Sequence, residues 1–383
     1  MSQASRILRR TSAASLVFAA LLTVFLLSGC GKTPDAGSGD LTGNGDAGGD
    51  DALNSGIAEE DEDLIAARNA FTRNDFETAA RHFALAAERD IPEAQYMFGE
   101  CLERGLGIEK DPGEAIRWWR KAAENGSADA QYRLGQCYED GKYLEKNMDE
   151  AVKWWEKAAG QGLVIAQYTM GVCCEYGKGV EKDLTKAIEW YRNPAEQGYA
   201  PAQYNLGVCC YYGYGTEQDE RAAEQWFRLA ADQGLASAQY MYGVCKFNAR
   251  DSTTAAEWFR KAAELDHAGA QYMLGLCLFN ANAAEAAEWF RKAAEQDHAG
   301  AQCKLGECYE RGRGVDKDLS EAVNWYRKAA DQDFAEAQYD LGVCYEYGWG
   351  VGKDPVEAAI WYRKAAENGD PNAREALKYL GTE

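Results

Sequence analysis

The chain has 383 residues, a length that allows two or three globular domains or one repeat array. Its 62 acidic against 41 basic residues give a net charge of −21, which argues against a phosphate-neutralising surface and so against nucleic acid as the main partner. Acidity of this kind serves solubility.

From the N-terminus, Arg6, Arg9 and Arg10 precede an apolar run from Ala13 to Leu27, short for a membrane span but of the right length for a signal-peptide core. The run ends in Leu27-Ser28-Gly29-Cys30, which resembles a bacterial lipoprotein lipobox. That resemblance implies that residues 1–29 are a signal peptide, and that cleavage leaves a lipidated Cys30 as the new N-terminus. Removing the three arginines takes the net charge from −21 to −24. Several acyl chains hold such a protein on a bilayer. The expected location is therefore the bacterial cell envelope, with the chain lipid-anchored and, where an outer membrane exists, on that membrane, facing the periplasm or the cell surface.

Residues 30–62 comprise this cysteine and a Gly- and Asp-rich stretch almost without apolar side chains, which cannot bury enough surface to fold and reads as a disordered tether. Within it, "GNGDAGGDD" at 43–51 clusters the carboxylates that hard cations favour. It lacks the ordered spacing and tandem copies of a calcium-binding repeat, so linker is the reading.

Residues 63–383 are repetitive. Ala-Gln-Tyr recurs from Ala94, Ala130, Ala166, Ala202, Ala238, Ala270 and Ala337. At Ala301-Gln302 the tyrosine becomes Cys303, and a last start at Ala373 loses both following residues. Successive starts are 36, 36, 36, 36, 32, 31, 36 and 36 residues apart, a period that signals a solenoid. Each unit holds a first apolar-periodic segment, a Gly-rich loop and a second segment with one apolar face, as in Ala115, Trp118, Trp119 and Ala122.

The second helix of each unit announces its start with a capping residue: Asp111, Asn147, Asp183, Asp219, Asp251, Asn282, Asp318 or Asp354. Five of these caps are followed three residues later by Glu, as in a capping box, and Pro112 and Pro355 occupy the first helical position. The two short units lose only the loop, to "FNARD" at 247–251 and "FNAN" at 279–282. Upstream, residues 63–90 fit the same plan with Asp75 as cap. The expected fold is all-α: a right-handed superhelical solenoid of about nine antiparallel helix pairs plus a capping helix near Asn372–Leu380. Pro194, inside a second helix, predicts a kink.

The phrase "LGVCYEYGWGVGKDPVEAAIWYRKAAENGD" resembles the Sel1-like repeat, a relative of the tetratricopeptide repeat with a longer internal loop, and the resemblance spans about residues 63–383. It implies a scaffold that binds other proteins and leaves the ligand open.

An oxidising compartment would make the eleven cysteines beyond Cys30 suggest disulfides. Most units, however, carry a single one, at Cys101, Cys137, Cys173, Cys209, Cys245, Cys277, Cys308 and Cys344. Equivalent positions on neighbouring helices lie roughly 8–10 Å apart, beyond the reach of about 7 Å that a disulfide allows. By resemblance, this position takes a small residue where helices touch, so cysteine serves as a small hydrophobe. The pairs Cys173-Cys174 and Cys209-Cys210 and the extra Cys303 depart from that pattern.

The sequence holds no Cys-x-x-Cys, Gly-x-Ser-x-Gly or phosphate loop, and no carboxylate stands out as an acid or base. Of the three histidines, His82, His267 and His298, the last two share the phrase "DHAGAQ" in adjacent short units and read as solvent-facing loop residues. The chain is accordingly expected to be no enzyme and to need no cofactor or metal. The aromatic stripe from Trp118-Trp119 to Trp361-Tyr362 has helical spacing and reads as core.

By resemblance the inner curve is lined by first helices, and the positions six, nine and ten residues after each starting alanine follow it. Outer units offer polar residues there: Glu100, Glu103 and Arg104, or Glu307, Glu310 and Arg311. The middle offers Val172 and Tyr176; Val208, Tyr211 and Tyr212; Val244 and Phe247; then Leu276 and Phe279. An apolar centre with a polar rim suits recognition of a protein or peptide. Equally, these side chains pack against the next repeat. Two further readings stand beside the scaffold: an envelope enzyme acting on cell-wall peptides or related amides, and a structural spacer without a specific ligand.

Overall fold

The computed structural model describes residues 61–381; the expected signal segment, Cys30 and nearly all of the tether lie outside the described residues. Among the described residues are nineteen helices and no strand, arranged as nine successive helix pairs and a last helix, Ala373–Tyr379. Each helix packs on its pair partner and on the helix that follows, which makes the array a helical solenoid. No described helix is long and apolar enough to cross a membrane.

Local chemistry sets the helix boundaries. All nine expected Asp and Asn caps accept a hydrogen bond from a backbone N–H two or three residues on. The first helix, Glu62–Thr72, begins the same way, with Asp61 accepting from the Leu64 N–H at 3.0 Å. First helices of the long pairs end on a glycine in the left-handed region, such as Gly348 at φ 78°. A second loop glycine follows: at Gly350 an added Cβ would lie 2.1 Å from the Leu319 carbonyl oxygen, so this loop rests on the start of the preceding second helix.

In the eight pairs after the first, the two helices close over one contact. The fully buried rings of Trp119, Trp155, Tyr191, Phe227, Phe259, Phe290, Tyr326 and Tyr362 press on a first-helix glycine. At Gly171 a Cβ would stand 2.4 Å from the Tyr191 ring. In six of the eight doublets the other aromatic lies under an ammonium group three residues on, as with Lys261 3.6 Å from the Trp258 ring centre and Lys328 3.8 Å from that of Trp325.

Between pairs, the glutamine of Ala-Gln-Tyr is the connector. Each of the eight is buried, and its Nε2 donates to the carbonyl of the residue eight positions earlier, near the end of the previous second helix. Seven of them also accept, through Oε1, from an Asn or Gln at the end of their own pair's second helix: Asn125, Gln161, Asn193, Gln233, Gln296, Gln332 and Asn368. Gln239 is the exception. The corresponding helix ends on Leu265, 54% exposed, and Gln239 Oε1 is buried with no partner among the described residues.

Helix Leu184–Glu196 runs through Pro194, which lies buried in its last turn. Asn193 beside it reaches back to Gln167, while Gln197, at the usual connecting position, binds Asn193 instead. The described cysteines are free and mostly buried, and burial pushes the Cys101 thiol up to about 12 and that of Cys137 to about 11. They fill space as small apolar groups.

The glycine contact predicts two substitutions of opposite sign. Gly171→Ala drives a methyl into the Tyr191 ring and should destabilise the fold by about 1–3 kcal/mol. Gly160→Ala, at an exposed helical site with open space around it, should stabilise by roughly 0.5–1 kcal/mol. Melting midpoints of both variants against the parent chain decide it, and a neutral Gly171→Ala would refute the contact.

Candidate functional site

Side-chain exposure divides the expected groove residues. Tyr176, Tyr212 and Phe247 lie at or near first-helix ends and are 50%, 52% and 44% exposed. Val172, Val208, Val244 and Leu276 are half-buried against the core. So are Tyr211, which accepts from Asn248 at 3.1 Å, and Phe279, which packs edge-on to Phe290 beneath the Arg313 guanidinium at 3.9 Å.

The open aromatic surface extends further than first-helix spacing implies. Tyr214, from the loop after Tyr212, stacks on it at 5.4 Å, and Tyr211 meets Tyr212 edge-on at 4.9 Å. Nearer the C-terminus, Tyr347 and Trp349 stack at 5.3 Å and are 56% and 41% exposed. The middle residue of Gly-Tyr-Gly in one unit and Gly-Trp-Gly in another was the available signal; a frame restricted to helix positions passes over it.

The expected polar rim is not a surface at its N-terminal end. Glu100 and Glu103 are buried, Glu100 against Arg104 at 2.8 Å and Arg133 at 3.5 Å, Glu103 against Lys142 at 3.1 Å and the Tyr143 hydroxyl at 3.0 Å. Burial raises the Glu100 pKa above the usual carboxylate range. These groups knit neighbouring repeats together, because cationic side chains of the next pair fold over them.

His267 and His298, expected to face solvent, instead cap helices. Each Nδ1 accepts from the backbone N–H three residues on, at 3.1 Å. Each ring stacks at 4.7 Å on the tyrosine of the preceding unit, Tyr240 or Tyr272. Burial lowers both pKa values, and the accepting role requires neutral imidazole.

Towards the C-terminus, helices Ala299–Arg311 and Ala335–Tyr347 contribute to a half-open pocket of about 420 Å³. Lys304 bridges Glu307 at 3.0 Å and Glu336 at 2.9 Å. The Tyr326 hydroxyl donates to Glu310 at 2.6 Å. Asp340 has its pKa pushed up to about 7, first by burial and then by Glu336 and Glu310. The Cys303 thiol faces Asp340 Oδ2 at 3.7 Å, so that Cys303, Glu336 and Asp340 bring three potential metal-ligand atoms within 4.8 Å of one another.

Comparison with known proteins gives the repeat a counterpart. The family model described as Sel1 repeat matches nine consecutive segments, 70–91, 92–127, 128–163, 164–199, 200–235, 236–267, 268–298, 299–334 and 335–370. A Sel1 repeat protein from Oxalobacter formigenes is similar in structure, with 28% identity, 87% of this chain and 98% of that one covered, and a TM-score of 0.59. So is a protective antigen of uropathogenic Escherichia coli that displays an SLR fold, with 28% identity, coverages of 83% and 82%, and a TM-score of 0.58. No curated relative matches the sequence.

The histidine caps make stability depend on pH. Because both pKa values are lower in the folded chain, their contribution is complete above the unfolded value near 6.5 and is lost as pH falls through the folded values. The melting temperature should fall between pH 7 and 5, and less so in a His267→Ser, His298→Ser variant, since serine caps a helix without titrating. Equal pH slopes would contradict the capping role.

Proposed function

The chain belongs to the Sel1 repeat family, whose members are typically non-enzymatic scaffolds for protein–protein interaction, and from that premise we propose that it presents a binding surface for a protein or peptide partner in the bacterial cell envelope. In this reading Cys30 carries the lipid anchor, residues 31–60 tether the array, and the solenoid recognises its partner along the exposed ends of the first helices.

One observation carries the reading. The core repeats almost residue for residue, whereas Tyr176, Tyr212, Tyr214 and Phe247 stand exposed on three consecutive units; Arg104, Asp140 and Arg311 hold the helix-end position of Tyr176 and Tyr212 in outer pairs, and Tyr347 alone repeats the ring there, in the last pair. Packing explains a repeated ring and does not explain an exposed one. Tyrosine offers a large, rigid contact area with a polar tip, which suits recognition.

A single experiment tests anchor and surface together. Full-length chain would be crosslinked in bacterial envelopes and recovered as the parent, as Cys30→Ser, and with Tyr176, Tyr212, Tyr214 and Phe247 all changed to Ser. The expected result is that Cys30→Ser leaves the membrane fraction, and that the fourfold variant stays anchored and keeps its helicity but loses a crosslinked partner held by the parent. Unchanged crosslinking in the fourfold variant would overturn the surface, and unchanged membrane retention of Cys30→Ser would overturn the anchor.

A further inference from the structure

The C-terminal pocket departs from the rest of the array at two positions that meet in space. At two other junctions the tyrosine of Ala-Gln-Tyr reaches the residue at the next register position of the following pair: Tyr132 interacts with Thr169 and Tyr168 with Asn205. At this junction the tyrosine is Cys303, one ring shorter, and the residue it faces is Asp340. The exchange withdraws a hydroxyl and leaves a half-buried carboxyl whose one hydrogen bond comes from a weak thiol donor.

The surrounding charge is unbalanced. Glu307, Glu310, Glu336 and Asp340 line the pocket with Lys304 and Arg311, an excess of two negative charges when all are ionised. Lys304 is occupied by Glu307 and Glu336, and Arg311 by Glu307 at 2.8 Å. Among the described residues no cation is therefore ion-paired with Asp340 or Glu310. Trp349, 41% exposed, forms part of the wall. Carboxylates beside an indole face make a suitable receptor for an organic cation.

We propose that this pocket receives the ammonium or guanidinium group of a lysine or arginine side chain, with Asp340 and Glu310 as counter-charges and Trp349 as the aromatic wall. The identification of that cation as part of a peptide rests on the scaffold reading above. A divalent metal on Cys303, Glu336 and Asp340 is the competing occupant. It is disfavoured because Lys304 already holds Glu336, and because about 420 Å³ far exceeds the room one ion needs.

Cation binding stabilises the ionised form of Asp340, so it competes with protonation. The titratable groups facing Asp340 are Cys303, Lys304, Glu310 and Tyr326 from the preceding pair and Glu336, Tyr339 and Cys344 on its own helix. With the Asp340 carboxyl titrating at about 7, affinity should rise about tenfold from pH 6 to pH 8.

The test uses the full chain labelled with fluorotryptophan, the Trp349 signal being assigned through Trp349→Phe. At pH 8 it is titrated by fluorine NMR with Nα-acetyl-lysine amide, Nα-acetyl-arginine amide and Nα-acetyl-norleucine amide, and separately with zinc chloride. The lysine and arginine probes should shift the signal saturably and the norleucine probe should not. Asp340→Asn should weaken binding at least about fivefold and flatten its pH dependence, and Glu310→Gln should weaken it as a second, independent variant. An equal response to norleucine, no saturation by either cation, or full binding in both variants would overturn the proposal. So would tight zinc binding that protects Cys303 from alkylation and excludes the amine probes. Failure here leaves the crosslinking result standing, because that result reads a different surface.

Discussion

A buried glutamine side chain holds each helix pair to the one before it. An amide at full burial needs partners for both ends, since an unmade hydrogen bond costs about 1–3 kcal/mol. The array meets that need in two directions: Nε2 binds the last turn of the preceding second helix, and Oε1 takes a donor from the end of its own second helix. Three helices are thus fixed relative to one another by one side chain, and the same geometry recurs along the chain. Stacked repeats otherwise meet through apolar surface, which is non-directional. The glutamine adds direction.

Around that connector the remaining devices agree with one another. The caps fix where second helices begin, the first-helix glycines set how closely a ring approaches, and the alanines leave room for the backbones. The two shortened pairs show which parts are essential. They keep the glutamine, the glycine and the ring, and discard the loop. Because the eight pairs after the first solve their core in the same way, positions outside the core are free to differ. The exposed aromatics of the middle and the charged pocket of the C-terminal end are two uses of that freedom.

Much of this was legible in the sequence. The 36-residue period, the Asp and Asn caps and the buried aromatic stripe follow from spacing and side-chain chemistry alone. The role of the glutamine was not legible, although it marked the register, because its acceptor lies eight residues back in another helix and its donor varies between Asn and Gln at changing distances. Site residues were harder still. Phe279 and Tyr176 sit at neighbouring register positions, yet one lies beneath Arg313 and the other is open. Glu100 resembles a surface acid until Arg104 and Arg133 close around it. His267 has the sequence surroundings of a loop residue, and only the backbone direction turns its ring into a cap. Exposure depends on which neighbour folds over a position, and a single unit of sequence does not contain that neighbour.

The connector's weight is measured most directly at the one junction where it is incomplete. Gln239 Oε1 lacks the donor that the other seven glutamines have, because Leu265 stands at the end of helix Ser252–Glu264. Leu265→Gln supplies a donor, and Leu265→Glu supplies the same shape without one. Native-state hydrogen exchange of helices Ala236–Asn248 and Ser252–Glu264 should show local opening costing about 1 kcal/mol more in the Gln variant than in the Glu variant. Identical protection in the two would mean that the glutamine amides only accompany the stacking of the repeats and do not hold it.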